Sequence, residues 1–318
     1  RIIGNIYGEW NFLKDFTLKA TGYMDLGLYR GEQYTPRYDV NNSTSHSAHK
    51  NDITNFYRKS DEARTFQADF LLSYKKMITN HRIDATVGYT ARKAISEGFN
   101  AKVDSLANGM NIVPNDLWML SMGSVNRVSA GDWWNEESFI SYLARVNYAY
   151  KDRYLLTATF RADGSSRFAK RNRWGYFPSV SLGWRVSNEE FFKNLNIENT
   201  ISNLKLRVGW GQNGNQRIDR DAPLTLIGTN NENQWYFGNG YSQGYVPTYV
   251  GNADIKWETS QQTNVGLDMS FFKNSLDVSM DFYVKKTSDM LLNMPIPSFG
   301  AFPNSPFFNA GDLKNTGF

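Results

Sequence analysis

An alternation of apolar and polar side chains with a period of two residues runs through residues 138–186 and restricts the folds available to this chain. The alternation pauses at a tight turn, 151–153, and at a polar loop before Pro178. A helix repeats every 3.6 residues and cannot keep the two sets of side chains apart, whereas a strand does so at every step. The stretch therefore predicts three antiparallel strands. In the first of them the apolar face carries Tyr142, Ala144, Val146, Tyr148 and Tyr150.

The length of these runs separates a membrane-spanning strand from a soluble one. Each run covers about 12 residues, against roughly 5–6 for an ordinary strand and about 9–11 for a tilted transmembrane strand. The apolar faces also begin and end in Tyr, Trp or Phe, as the interfacial girdles of outer-membrane barrels do. We therefore predict an all-β fold, an antiparallel transmembrane β-barrel whose apolar face meets lipid and whose polar face meets a lumen.

The composition agrees with a barrel. The 318 residues are 41% hydrophobic and 15% aromatic, yet the mean hydropathy is −0.54, as expected when only alternate residues meet lipid. No run of about 18 apolar residues exists, which excludes a transmembrane helix. Cysteine is absent, so disulfides, thiolate metal sites and thiol nucleophiles are excluded. The net charge is +4, and the basic residues are scattered along the chain. Because they form no basic stripe, the sequence does not predict nucleic acid as a partner.

The predicted strands number about ten, and their connections alternate in kind. Short turns follow the first, third, fifth and ninth strands, a moderate connection follows the seventh, and long or polar connections follow the even-numbered strands. Outer-membrane barrels likewise have short periplasmic turns and long extracellular loops. A short helical turn is predicted around 189–192, and the chain is predicted to end in a loop that begins at Pro295. The long loops are predicted at 29–61, 97–134 and 211–254.

Two motifs suggest other functions. Gly209, Gly211 and Gly214 spell the dinucleotide fingerprint G-x-G-x-x-G, but no helical pattern follows, so we expect glycines where a strand passes into a loop. His46 and His49 form an H-x-x-H in a Ser/Asn-rich loop, where solvated histidines are expected rather than metal ligands. No histidine falls within a predicted strand, so no nucleophile has a base. The sequence thus predicts no enzyme activity, no metal and no cofactor.

Several blocks resemble the SusC/RagA group of TonB-dependent outer-membrane transporters of Bacteroidetes-type bacteria. Together they cover more than half of the chain in the order of that family. The blocks are LARVNYAYK at 143–151, DRYLLTATFRADGSSRF at 152–168, RWGYFPSVSLGWRVSNEEF at 173–191, SNLKLRVGWGQNGNQ at 202–216, IKWETSQQTNVGLD at 255–268 and YVKKTSDMLLNMPIP at 283–297.

The resemblance implies that residues 1–318 are a fragment of a TonB-dependent receptor β-barrel domain of about 22 strands in the cell outer membrane. The signal peptide, TonB box, plug domain and C-terminal strands of that family are absent from the sequence. The implied function is import of oligosaccharides or oligopeptides with no bond-making step. The implied partners are the TonB–ExbB–ExbD complex, a SusD-like surface lipoprotein and outer-membrane lipid. The alternatives are a passive porin and a soluble all-β module that binds glycans.

The candidate substrate-binding residues form two sets, each with a structural alternative. Aromatic side chains in the long loops can stack on sugar rings, but such loops also need a core of their own. Basic side chains on the lumenal face can guide anionic groups, but they also pair with carboxylates on neighbouring strands. The turn at 163–167 is expected only to close a hairpin. The loop set is Trp118, Trp133, Trp134, Trp235, Tyr236, Tyr241, Tyr245 and Tyr249, and the lumenal set is Arg145, Arg161, Arg185, Lys205 and Arg207.

Overall fold

The computed structural model describes residues 1–40, 49–106, 112–228, 234–238, 240–295 and 305–318. Within these residues, eleven strands form one antiparallel sheet in which each strand neighbours the next along the chain. The all-β prediction is confirmed, with one strand more than the expected ten. The strands are β1 Ile2–Phe12, β2 Phe16–Thr35, β3 Asn55–Ile78, β4 His81–Asp104, β5 Val128–Tyr150, β6 Tyr154–Ser165, β7 Trp174–Arg185, β8 Ile201–Asn215, β9 Glu258–Phe271, β10 Leu276–Ser288 and β11 Leu313–Gly317.

The chain divides into two compact units, and several sheet strands contribute residues to both. The first unit comprises Arg1–Ile6, Gly22–Gln67 and Arg92–Glu136, and the second comprises Tyr7–Thr21, Ala68–Ala91 and Glu137–Phe318. Each unit has its own buried apolar cluster. The cluster of the first unit is Phe56, Val103, Leu106 and Val113. The cluster of the second unit is Phe168, Phe177, Ile218, Ala222, Ile255 and Trp257.

The strand register of the second unit lines up one continuous apolar face, which we call the outer face. Leu182 lies opposite Leu156 on one side and Val208 on the other, and the row continues through Val265 to Phe282. Leu182 is 55% exposed and Phe282 is 54% exposed, so these side chains are not buried between two stacked layers. An apolar face of this size is expected to contact lipid or another apolar surface rather than water. The predicted alternation of lipid-facing and polar residues is confirmed.

Aromatic side chains border the outer face at both ends of the strands. Tyr142 stacks near Trp174 with ring centroids 5.9 Å apart at one end, and Trp184 lies 6.4 Å from Phe191 at the other. The ten-residue step from Trp174 to Trp184 spans about 33 Å along β7, which a tilt of about 40° reduces to about 25 Å. That distance matches the height of the apolar band of an outer-membrane barrel.

The connections follow the predicted parity. One end of the strands, the turn end, has tight turns at 13–15, 79–80, 151–153 and 272–275. Lys151 and Asp152 have φ of 50° and 51°, the left-handed conformation that tight hairpin turns use. The connection 186–200 between β7 and β8 is longer but also lies at the turn end, whereas the other long connections lie at the opposite end, the loop end. The predicted helical turn is present at the turn end as α1, Glu190–Lys193.

Glu189 links this helical turn to the sheet. Its carboxylate accepts hydrogen bonds from the Trp184 indole at 3.0 Å and from Arg153 at 3.0 Å. The pKa of Glu189 lies below its usual range. The largest cause is a hydrogen bond from Tyr154, and the second is the hydrogen bond from Trp184.

No helix in the described part of the chain has the length and apolar character needed to cross a membrane.

The strands extend further than the apolar pattern predicts. The loops expected at 29–61 and 97–134 are shorter, because β2 and β4 continue to Thr35 and Asp104 while β3 and β5 begin at Asn55 and Val128. These extensions carry polar residues on both faces, so apolar alternation cannot reveal them. The chain also ends in a strand rather than a loop, because β11 pairs with the end of β10.

Candidate functional site

The polar face of the sheet, which we call the inner face, carries basic side chains. Carboxylates on neighbouring strands neutralise part of their charge. The Arg207 guanidinium lies 2.8 Å from Asp268 and 3.1 Å from Asp281. Gly266 makes this second contact possible, because a Cβ there would lie 2.7 Å from an Asp281 oxygen and 2.8 Å from Arg207 Cζ. Lys205 also approaches Asp268 at 4.0 Å. These charges brace adjacent strands, as the structural alternative predicted.

Three other arginines of the candidate set differ in their surroundings. Arg161 donates to Asp163 at 2.6 Å, so it is part of a structural pair. Arg145 is exposed opposite Thr159, and Arg185 lies opposite Lys205. Among the described residues, neither Arg145 nor Arg185 forms an ion pair. Within that part of the chain, they lack the carboxylate pairing seen at Arg207.

Small residues create a polar trough of about 450 Å³ on the inner face of β6 to β9. Gly209 and Gly211 form its floor, because neither carries a side chain. Gly209 lies opposite Ser181 on one side and Asn264 on the other. The G-x-G-x-x-G sequence is therefore part of strand β8 and no helix follows it, which removes the structural basis for a dinucleotide site. The remaining lining includes Thr157, Ser179, Asn213 and Gln262.

Trp118 supports the core of the first unit. Its indole N–H donates to the Val113 carbonyl at 2.9 Å, and its ring stacks on Tyr34 with centroids 4.9 Å apart. The Tyr34 hydroxyl in turn accepts from the Val113 amide at 3.0 Å. Both the polar and the apolar parts of Trp118 are thus engaged within the loop, as expected for a loop that needs its own core.

Trp133 belongs to a row of residues that crosses four strands of the first unit. It lies in β5, not in the predicted loop, and covers Gly98, where a Cβ would lie 2.8 Å from the indole nitrogen. Asp61 approaches Gly98 from the other side. The flanking contacts Gly27–Ala63 and Gly31–Lys59 place Tyr29 across from Asp61. We call Tyr29, Asp61, Gly98 and Trp133 the aromatic row.

The aromatic row presents two accessible rings with a charged pair between them. Trp133 is 44% exposed and Tyr29 is 55% exposed. Lys59 lies 3.4 Å from Asp61 and 4.5 Å from the Tyr29 ring centroid, so it links the carboxylate to the ring. Alternation along β5 puts Trp133 on the odd-numbered face and Trp134 on the even-numbered, opposite face. Trp133 and Trp134 therefore do not share one binding surface.

The remaining loop aromatics lie on or beside two short hairpins. Gln234–Phe237 pairs with Gly240–Gln243, which puts Tyr236 opposite Tyr241 along the backbone. Tyr236 and Tyr245 are exposed, whereas Tyr249 is half-buried and burial raises the pKa of its hydroxyl. The side chains of Trp235 and Tyr241 lie outside the described residues.

The turn predicted at 163–167 begins only at 166, because 163–165 are the last residues of β6, where Asp163 and Ser165 are buried. Asp163 accepts hydrogen bonds from Ser141 and Arg161, each at 2.6 Å. Arg167 donates to Glu137 at 2.8 Å and to the Ile218 carbonyl at 2.6 Å, which joins two loops that are distant in sequence. A composition of Asp, Gly and Ser indicates only a turn, so this burial is not predictable from sequence.

Of the three histidines, the structure describes the backbone of two. The expectation that no histidine lies in a strand is wrong, because His81 begins β4, where its Nδ1 lies 2.7 Å from the Tyr148 hydroxyl. His46 lies outside the described residues, and His49 begins a three-residue strand. Across the described ranges, no cluster of three or more His, Cys, Asp or Glu side chains is placed to hold a metal ion.

A family model described as TonB dependent receptor-like, beta-barrel, matches residues 4–318. The chain belongs to this TonB-dependent receptor family. The TonB-dependent receptor P39 of Formosa agariphila is 32% identical over 303 residues, covering 95% of this chain and 27% of the relative. The TonB-dependent receptor SusC of Bacteroides thetaiotaomicron is 43% identical over 182 residues, which are 57% of this chain and 18% of SusC.

A solved structure of the RagAB peptide transporter matches this TonB-dependent receptor chain with a TM-score of 0.82 and 26% identity. The match covers 98% of this chain and 32% of the transporter chain. The resemblance to the SusC/RagA group is therefore confirmed. The chain spans about a quarter of the length of the curated relatives. It is part of an outer-membrane β-barrel, with an apolar face toward lipid and a polar face toward the lumen.

Proposed function

We propose that this chain is part of the barrel of a TonB-dependent importer that takes up oligosaccharides or oligopeptides together with a SusD-like surface lipoprotein. The observation that carries the proposal is the family match over residues 4–318, on a sheet whose register separates an apolar face from a polar one. The likeness to the RagAB peptide transporter and to SusC supports the SusC-like form of that function. This part of the barrel would guide cargo and would form no covalent bond with it.

We further propose that the aromatic row contacts the cargo. An exposed indole backed by a glycine offers a flat apolar face, which can pack on the C–H face of a sugar ring or on a peptide side chain. Lys59 and Asp61, 3.4 Å apart, add a donor and an acceptor beside the rings for hydroxyl or amide groups. Trp118 is left out of the cargo site, because both ends of its side chain are used within its own loop.

The importer function is tested in cells with the full-length gene. A deletion strain and its complemented parent are grown on a panel of oligosaccharides and peptides to find the cargo that requires the gene. We expect uptake of that cargo to stop when tonB is deleted. Uptake that continues without TonB would support a passive porin instead.

Trp133→Ala should weaken saturable uptake of that cargo, while Trp134→Ala serves as the matched control on the opposite face of the same strand. Loss of a central aromatic anchor costs at least about 1.4 kcal/mol, which is about tenfold in affinity. We therefore expect the half-saturating cargo concentration to rise about tenfold for Trp133→Ala and to stay within about twofold for Trp134→Ala. Surface abundance is measured in parallel by labelling intact cells. An equal loss in both variants would contradict the role of the aromatic row.

A further inference from the structure

Two lysines face each other on the outer face of the sheet. Lys286 of β10 lies directly opposite Lys314 of β11. Lys286 shares its face with the lipid-facing residues Phe282 and Val284, because side chains two residues apart on a strand point the same way. Both lysines are exposed. Like charges directly opposite each other on a sheet are destabilising, so this arrangement needs a compensating interaction.

The described residues supply only part of that compensation. Lys286 lies 3.1 Å from Asp312. Lys314 has no carboxylate partner among the described residues. The neighbour of Lys286 on its other side is Gln261 of β9, whose amide can donate or accept a hydrogen bond. The site therefore offers two ammonium groups and an amide, with one carboxylate to offset them.

The positions of residues along β10 give the depth of Lys286 and Lys314 in the membrane. On β10 the outer-face residues from Leu276 to Val284 are apolar, and Lys286 is the first charged residue beyond them. The ten-residue step from Leu276 to Lys286 spans about 33 Å along the strand, or about 25 Å of height at a tilt of about 40°. Leu276 follows the tight turn at 272–275, so Lys286 lies at the loop end, just beyond the apolar band.

We propose that Lys286 and Lys314 bind the phosphate of a lipid headgroup in the extracellular leaflet of the outer membrane. A phosphate supplies negative charge to offset the two ammonium groups, only one of which has a carboxylate partner in the described part of the chain. Lysine binds phosphate as a point charge without strict geometry. Opposite residues of an antiparallel pair have Cβ atoms about 5 Å apart, a spacing that two flexible lysines can close on one phosphate group. The lipid-facing position selects a membrane lipid over a soluble anion as the occupant.

The test uses the full-length protein purified in detergent and incubated with monophosphorylated lipid A, with retained lipid measured by native mass spectrometry. We expect Lys314→Gln to weaken lipid A retention at least about fivefold. Lys285→Gln removes the same charge from the adjacent residue on the inner face and should leave retention unchanged. Lipid A treated with phosphatase should bind the wild type as weakly as the phosphorylated lipid binds Lys314→Gln. Equal effects of the two variants, or unchanged binding of dephosphorylated lipid, would overturn the proposal.

Two further measurements separate a lipid site from other roles of the pair. Inorganic phosphate at millimolar concentration should fail to displace the lipid, and complete displacement would mean a site for free phosphate instead. Lys314→Glu should form an ion pair with Lys286 and raise the unfolding temperature in lipid-free detergent, while lowering lipid A retention. A variant that is more stable and retains as much lipid as the wild type would refute the phosphate contact.

Discussion

Replacing Val180 with Arg should lower the free energy of unfolding by about 2–4 kcal/mol, the cost of a basic side chain on the lipid face near the bilayer midplane. Val180 lies near the middle of the outer face, between the aromatic borders at Trp174 and Trp184, and is 40% exposed. In a soluble protein, an exposed valine replaced by arginine changes stability by less than about 0.5 kcal/mol. The expected effect therefore depends on lipid at this face. It is measured by guanidinium unfolding of the full-length protein in phospholipid vesicles.

Ser181→Arg is the matched control for the lipid face. Ser181 is adjacent to Val180 in sequence but lies on the inner face between Thr157 and Gly209, where it lines the polar trough. The trough has room for a longer side chain that can remain hydrated, so we expect a change within about 0.5 kcal/mol. If Ser181→Arg destabilised the protein more than Val180→Arg, the assignment of the two faces would be reversed.

The sequence predicted the strands well wherever one face meets lipid. Val180, Leu182 and Trp184 alternate with Ser181, Gly183 and Arg185, and this pattern follows directly from the difference between hydrocarbon and water. Beyond the apolar band both faces of a strand meet water, and the alternation disappears. Trp133 and Trp134 were therefore assigned to a loop although they lie in β5, and the polar Lys-Asn-Thr sequence of β11 gave no strand signal.

The kinds of residue in the candidate site were predictable from the sequence, but the contacts between individual residues were not. Cross-strand neutralisation of inner-face arginines was expected in general, and Arg207 pairs with Asp268 and Asp281 as that rule suggests. The aromatic row was not predictable, because its register depends on strands that are joined by long connections. Tyr29 and Asp61 come together across such a connection, and no local pattern fixes which residues meet.

Replacing Phe168 with Ala should remove about 3–5 kcal/mol from the local stability of the apolar cluster at the loop end of the second unit. Phe168 is 1% exposed, and its ring lies 5.1 Å from that of Trp257. A buried phenylalanine replaced by alanine loses its transfer free energy and leaves a cavity, which together cost about this amount. The rest of the barrel is held by strand pairing, so we expect the loop cluster to open locally while the sheet stays folded.

Hydrogen exchange of the full-length protein measures this local opening. Residues 216–225 and 252–257 supply Ile218, Ala222, Ile255 and Trp257 to the cluster, so their amides should exchange two to three orders of magnitude faster in Phe168→Ala, because each 1.4 kcal/mol is tenfold. Phe191→Ala is the control, since Phe191 is 54% exposed and lies at the turn end. Unchanged exchange in Phe168→Ala would mean that the loops hold together without this cluster. Faster exchange confined to these loops would instead establish that buried aromatic side chains, and not the strands beneath, hold the connections at the loop end together.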